Sequence, residues 1–224
     1  MSKEDVIASI FGWIGSVLSI YFFISPVVPF SKVLREEMDY KDSPGILLIC
    51  SFMNCIIWAD YGLLKNITQI YLANSLGCTI IFVWISIYLF YFGRKYFAFA
   101  LIINILFLFI IGIISYFFYY KIDEKITGLV ALIFNILMYA SPGEKIFTII
   151  KTGNYQLIPI FSCFGGFACS FCWLIFGIKK EDKNLIIPNA LGLLLFIIQI
   201  IIYFIYYNKN KKDINTNENK NINK

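Results

Sequence analysis

Two asparagines, Asn74 and Asn189, stand 115 positions apart in otherwise apolar sequence, within Ala73-Asn74-Ser75 and Pro188-Asn189-Ala190. A carboxamide offers donors and acceptors together, and in an apolar setting it needs a partner. That chemistry suits a neutral, hydroxyl-rich ligand, whereas an ion would call for charge. A hydrogen bond between helices is the alternative use of the same groups. Trp58 and Trp173 share the spacing of 115, and each precedes a glycine (Gly62, Gly177) by four residues. A flat ring suits the C–H face of a sugar. Membership of an interfacial aromatic belt is the rival reading, and Trp13 and Trp84 are read as belt residues.

The prolines are the next set. Pro44 and Pro159 are also 115 apart, and Ser25-Pro26 and Ser141-Pro142 are 116 apart. Each proline removes a backbone donor and clashes with the preceding turn, so Pro26, Pro44, Pro142 and Pro159 are predicted bends, symmetrically placed.

Other chemistries lack their residues. The chain has no histidine, and Cys169-x-x-Cys172 has no second pair to complete a zinc shell, so the two thiols read as small residues on one helix face. Cys50, Cys55, Cys78, Cys163, Cys169 and Cys172 all lie in apolar runs, and no disulfide framework is expected. Asp60, Glu144 and Lys145 sit near run ends, which gives a proton relay little support. There is no Walker loop, zinc spacing or nucleophile motif, so neither an enzyme nor an ATP-driven role is expected, and no cofactor.

The elements that hold these residues are apolar. Of 224 residues 59% are hydrophobic and only 15% charged, with a mean hydropathy of +0.75. This is the composition of a chain whose solvent is a lipid bilayer. The net charge of +5 collects at run ends and in the tail, which fits membrane flanks and not a nucleic-acid partner. Runs long enough to cross about 30 Å of hydrocarbon are predicted near 6–28, 45–64, 69–92, 97–119, 128–150, 157–178 and 185–207. The first of these is too long for a signal-peptide core and reads as a retained helix. After Tyr207 an Asn/Lys-rich segment reads as a disordered, solvated tail.

The 115-residue shift continues through Leu76 with Leu191, Gly77 with Gly192, Ile85 with Ile200 and Tyr88 with Tyr203. Helices one to three thus repeat as helices five to seven. One helix between two triplets gives both the same orientation, a parallel repeat with an axis along the membrane normal. The expected fold is an all-α integral membrane protein: seven transmembrane helices as two parallel three-helix bundles joined by a linker helix. Its parts are a first repeat (1–92), a linker (93–125), a second repeat (126–207) and the tail (208–224). Two like bundles enclose a site at their interface and can rock about it, which is alternating access. More basic residues fall on the side of the C-terminal tail, which is expected to be cytosolic, with the N-terminus outside.

The stretches Ser25-Pro26 with Phe30, Asn54-Cys55-Ile56-Ile57-Trp58-Ala59-Asp60-Tyr61-Gly62, Met138-Tyr139-Ala140-Ser141-Pro142 and Ile187-Pro188-Asn189-Ala190-Leu191-Gly192 resemble the SWEET family of sugar facilitators. The resemblance reaches to about Tyr207. It implies passive uniport of a neutral sugar, a monosaccharide such as glucose given the bulky Trp58. In that scheme Asn74 and Asn189 bind hydroxyls, Trp173 stacks on the sugar and Trp58 shapes the opposite wall. Pro26, Pro44, Pro142 and Pro159 act as hinges and Tyr61 belongs to a gate. Two positions depart from the family pattern and a third follows it. The family's second-helix proline falls at Leu47, Phe176 replaces a tyrosine that Tyr61 retains, and Asp182 resembles a family acidic position but reads here as a solvated loop charge. The plasma membrane is the expected location, an intracellular membrane the alternative, and the lipid-facing surfaces leave room for a homo-oligomer. The rivals are a PQ-loop carrier of amino acids, whose Pro-Gln pairs are missing since Val27 follows Pro26 and Gly143 follows Pro142, and a membrane receptor or scaffold, which would need pocket charges.

Overall fold

The computed structural model describes residues 3–28, 31, 35–37, 45–92, 102, 106, 109, 112–113, 116–117, 123–138, 140–155, 158 and 160–222. Among them the chain is all helix: α1 (Lys3–Ile24), α2 (Gly45–Leu64), α3 (Thr68–Phe92), α4 (Glu124–Met138), α5 (Ala140–Thr152), α6 (Ile160–Lys179) and α7 (Lys183–Ile222). At about 1.5 Å per residue, the 22 residues of α1 cover roughly 33 Å, enough to cross a bilayer. Among the described residues four helices have the length and composition of a span, and α2 adds a shorter apolar stretch, Leu48–Leu64. Large apolar side chains face outward in a way no aqueous surface tolerates, among them Val17, Phe109 and Phe161. The protein is an integral membrane protein.

Local chemistry sets the boundaries. Glu4 and Asp5 occupy the first turn of α1, where the helix dipole favours negative charge. α2 ends on Asn66 at φ 54° and α6 on Glu181 at φ 53°. The amide of Ile67 then reaches back to the Gly62 carbonyl (2.8 Å), and that of Asp182 to Gly177 (2.9 Å). These are the same C-terminal cap 115 residues apart.

The span predicted at 128–150 is helical over 124–138 and 140–152, with Tyr139 outside the described residues. The tail read as disordered from residue 208 continues α7 as helix to Ile222. Extending a formed helix costs far less than starting one, and no Gly or Pro intervenes. The linker span at 97–119 lies mostly outside the described residues, and those described in it are helical and exposed.

Packing repeats the sequence symmetry. α3 packs on both α1 and α2, and α7 packs on α4, α5 and α6. Across the seam α1 lies on α6 and α2 on α4. One core cluster (Leu48, Phe52, Cys55, Ile56, Ile81, Ile85) belongs to the first repeat and another (Ile149, Ile158, Cys163) to the second. The third, with Ala8, Trp58, Tyr61, Ala131, Trp173 and Phe176, draws on both and fills the seam.

Candidate functional site

The seam cluster is built by small residues receiving large ones. A β-carbon at Gly12 of α1 would lie 2.8 Å from the Phe176 ring, and one at Gly128 of α4 would lie 2.8 Å from the Tyr61 ring. Gly12 and Gly128 are 116 apart, Tyr61 and Phe176 are 115 apart, so both contacts are one contact repeated. In each repeat a helix-one glycine admits the helix-two aromatic of the other repeat. Trp58 stands edge-on to Tyr61 (5.4 Å between centroids, 87°), as Trp173 does to Phe176 (5.6 Å, 82°). Four rings form an aromatic partition across the molecule.

The partition separates two cavities. On the side towards Asp182, a cavity of about 650 Å³ is lined by Tyr61, Phe176, Asp5, Gln69, Asp182 and Asn184. On the side towards Pro26, a cavity of about 330 Å³ is bounded by Trp58 and Trp173 and reaches Leu48, Met138 and Pro26. Its polar lining consists of four asparagines (Asn54, Asn74, Asn135, Asn189) and four serines (Ser19, Ser25, Ser51, Ser170), with no charged side chain among the described residues.

Asn74 and Asn189 are held identically. Each donates one amide hydrogen to the carbonyl four residues back, Ile70 and Leu185 respectively, at 2.8 Å. That fixes the rotamer and leaves the amide oxygen and the second N–H to the cavity. The Trp173 indole N–H donates to Ser19 Oγ (3.0 Å), which donates on to the Gly15 carbonyl (2.9 Å). Cys169 Sγ lies 3.5 Å from Ser19 Oγ. Asn54 Oδ1 is a buried acceptor without a protein partner in this wall, the kind of group that a ligand or water completes.

At the Asp182 end, Tyr61 Oη donates to Asp182 Oδ2 at 2.6 Å, and Asn184 Nδ2 donates to Tyr61 Oη at 3.4 Å. Asp182 also accepts the Asn184 amide (3.0 Å) as the N-cap of α7. It is 9% exposed, which corrects its reading as a solvated loop charge. In the other repeat the equivalent positions are Phe176 and Ile67, so the hydroxyl–carboxylate pair exists on one side only. Three ion pairs of 3.2 Å surround it: Lys65 with Glu124, Lys179 with Glu4 and Lys180 with Asp5.

The structure thus brings Asn74, Asn189, Trp58, Trp173 and Pro26 to one cavity and sets Tyr61 in the partition above it. Pro142 lies within the helical residues 140–152, and Pro44 and Pro159 fall outside the described residues. Sequence reasoning passed over Asn54, Asn135, Ser19, Ser51 and Ser170. The available signal was an amide or hydroxyl inside a bilayer-length apolar run.

The family profile described as a sugar efflux transporter for intercellular exchange matches the chain twice, over residues 9–96 and 125–211. The chain is 31% identical over 216 residues to the bidirectional sugar transporter SWEET1 of Arabidopsis thaliana, covering 93% of this chain and 87% of that one. It is likewise 31% identical over 216 residues to the bidirectional sugar transporter SWEET1a of Sorghum bicolor, covering 93% and 80%. A solved structure of a eukaryotic SWEET transporter shares the fold with a TM-score of 0.81 at 23% identity, over 92% of this chain and 100% of that one.

Proposed function

This chain belongs to the SWEET family of sugar transporters, and on that premise we propose that it carries a neutral monosaccharide such as glucose passively across a membrane, by alternating access. As a member of a transporter family it is not an enzyme. The observation that carries the reading is the 330 Å³ cavity, which offers amides and hydroxyls between two indole walls and, among the described residues, no charge. Its volume sits at the small end of ligand pockets, about 300–1,000 Å³, which favours one sugar ring over two. A ring lying between Trp58 and Trp173 presents its hydroxyls edgewise to Asn74 and Asn189, which accept and donate in turn.

Transport then follows from the symmetry of the seam. With the aromatic partition packed, the sugar exchanges with the Pro26 side; parting the two repeats along the Gly12–Phe176 and Gly128–Tyr61 contacts opens the path to the Asp182 side. Tyr61 with Asp182 acts as the gate on that path, and Pro26, Pro44, Pro142 and Pro159 act as hinges at the other end. Among the described residues no charged group lines the cavity to couple an ion, which supports movement of the sugar down its own gradient. The distribution of basic residues supports a cytosolic tail and an outward Asp182 end, and the plasma membrane is the proposed location.

The test is uptake of radiolabelled glucose and fructose into cells lacking hexose carriers, with the proton gradient intact or collapsed. Uptake that survives the collapse supports uniport. Well-expressed protein that moves neither sugar contradicts the reading.

A further inference from the structure

The last turn of α1, just before Pro26, is gripped by α3. A β-carbon at Gly77 would lie 2.5 Å from the Phe23 ring, so that ring lies on the bare backbone of α3. Seven residues on, two turns along the same face, Trp84 Nε1 donates to the Phe23 carbonyl at 3.0 Å. Phe23 and Trp84 both pack against the core cluster of the first repeat.

These contacts sit where a helix most needs them. The final carbonyls of a helix lack partners within it, and Pro26 cannot supply an N–H to the Phe22 carbonyl four residues back. Ser25 Oγ donates to that oxygen (2.7 Å), and Trp84 donates to the next one. The chain on the near side of the bend is thereby tied to α3, while α1 ends at Ile24.

We infer that Trp84 is a positioning residue for transport: its indole N–H, bound to the Phe23 carbonyl, anchors the near side of the Ser25-Pro26 bend. A bend moves one segment relative to another only if one side is fixed. With Phe23 fixed, motion at Pro26 swings the chain that follows and leaves Ser19 and Phe22 in the cavity wall. This extends the transport reading above, in which Pro26 is a hinge, and its test includes a readout that needs no transport.

Two substitutions separate the hydrogen bond from the packing. Trp84→Phe keeps an aromatic ring and removes the donor. Trp84→Gln removes the ring but places an amide nitrogen three bonds beyond Cβ, where the indole nitrogen stands; glutamine is also the residue at the equivalent position of the second repeat, Gln199. Backbone hydrogen exchange across residues 20–28 of the purified full chain should quicken about tenfold in Trp84→Phe and stay near native in Trp84→Gln. Sugar uptake should show a several-fold lower maximal rate with unchanged KM in Trp84→Phe only, and that loss should shrink when Pro26→Ala removes the bend. Native exchange in Trp84→Phe, or equal quickening in both variants, would overturn the assignment, whatever the sugar. A Trp84→Phe loss undiminished by Pro26→Ala would overturn the link to the bend.

Discussion

Tyr61 and Asp182, 121 residues apart in sequence, share a 2.6 Å hydrogen bond at the rim of the aromatic partition. It exists only while α2 of the first repeat lies against the α6–α7 turn of the second, so it stabilises the state closed at that end. A hydrogen bond to a charged group contributes about 1.5–3 kcal/mol. Tyr61→Phe, which copies the Phe176 of the other repeat, should therefore shift the equilibrium about tenfold or more towards opening. In a chain keeping Cys169 as its one cysteine, an impermeant mercurial added from the Asp182 side should label that cavity residue at least several times faster.

The paired glycine contacts make the same prediction by a different route. Gly128→Ala sets a methyl against the Tyr61 ring and the Asn184 amide, and Gly12→Ala sets one against Phe176. Overpacking costs about 1–3 kcal/mol. Each variant should lower the unfolding midpoint in detergent by several degrees and raise Cys169 labelling from the Asp182 side. Unchanged midpoints in both would mean that the rings move aside freely.

The sequence disclosed the repeat because rare residues kept their identities: Trp58 with Trp173, Asn74 with Asn189, Ser25-Pro26 with Ser141-Pro142. It hid the cavity wall where the mates differ in type, as Asn54 does from Cys169 and Ser19 from Asn135. Helical periodicity gave little help, since in a bilayer both the lipid face and the packed face of a helix are apolar. Asp182 was misread because its partner Tyr61 arrives from a distant helix. The extension of α7 past Tyr207 depended on the helix already formed before it.

The asparagines should differ in degree. Asn74→Ala and Asn189→Ala each remove one or two hydrogen bonds to the sugar, about 0.5–1.5 kcal/mol apiece, and should cut uptake at low sugar about tenfold at equal surface expression. Asn54→Ala, which removes the unpartnered buried acceptor, should raise KM several-fold without lowering the unfolding midpoint. An Asn54→Ala chain with native KM would place that oxygen outside the sugar's reach.

The ion pairs at the Asp182 end are half-exposed, and such pairs contribute about 0.2–1 kcal/mol each. Lys180→Glu should speed Cys169 labelling from that side about two- to threefold, and adding Asp5→Lys should restore most of the native rate. Raising the salt concentration should mimic the single substitution in the native pairing.

Occupancy of the cavity can be read directly at Cys169, whose sulfur lies beside Ser19 in the wall that also holds Trp173. In the Cys169-only chain, the rate of mercurial labelling should be measured from the Pro26 side against rising glucose, alongside transport by the same chain. The account predicts that glucose slows labelling and that the half-protecting concentration matches the KM for uptake. Labelling that is indifferent to glucose while transport continues would contradict a sugar site between the two repeats.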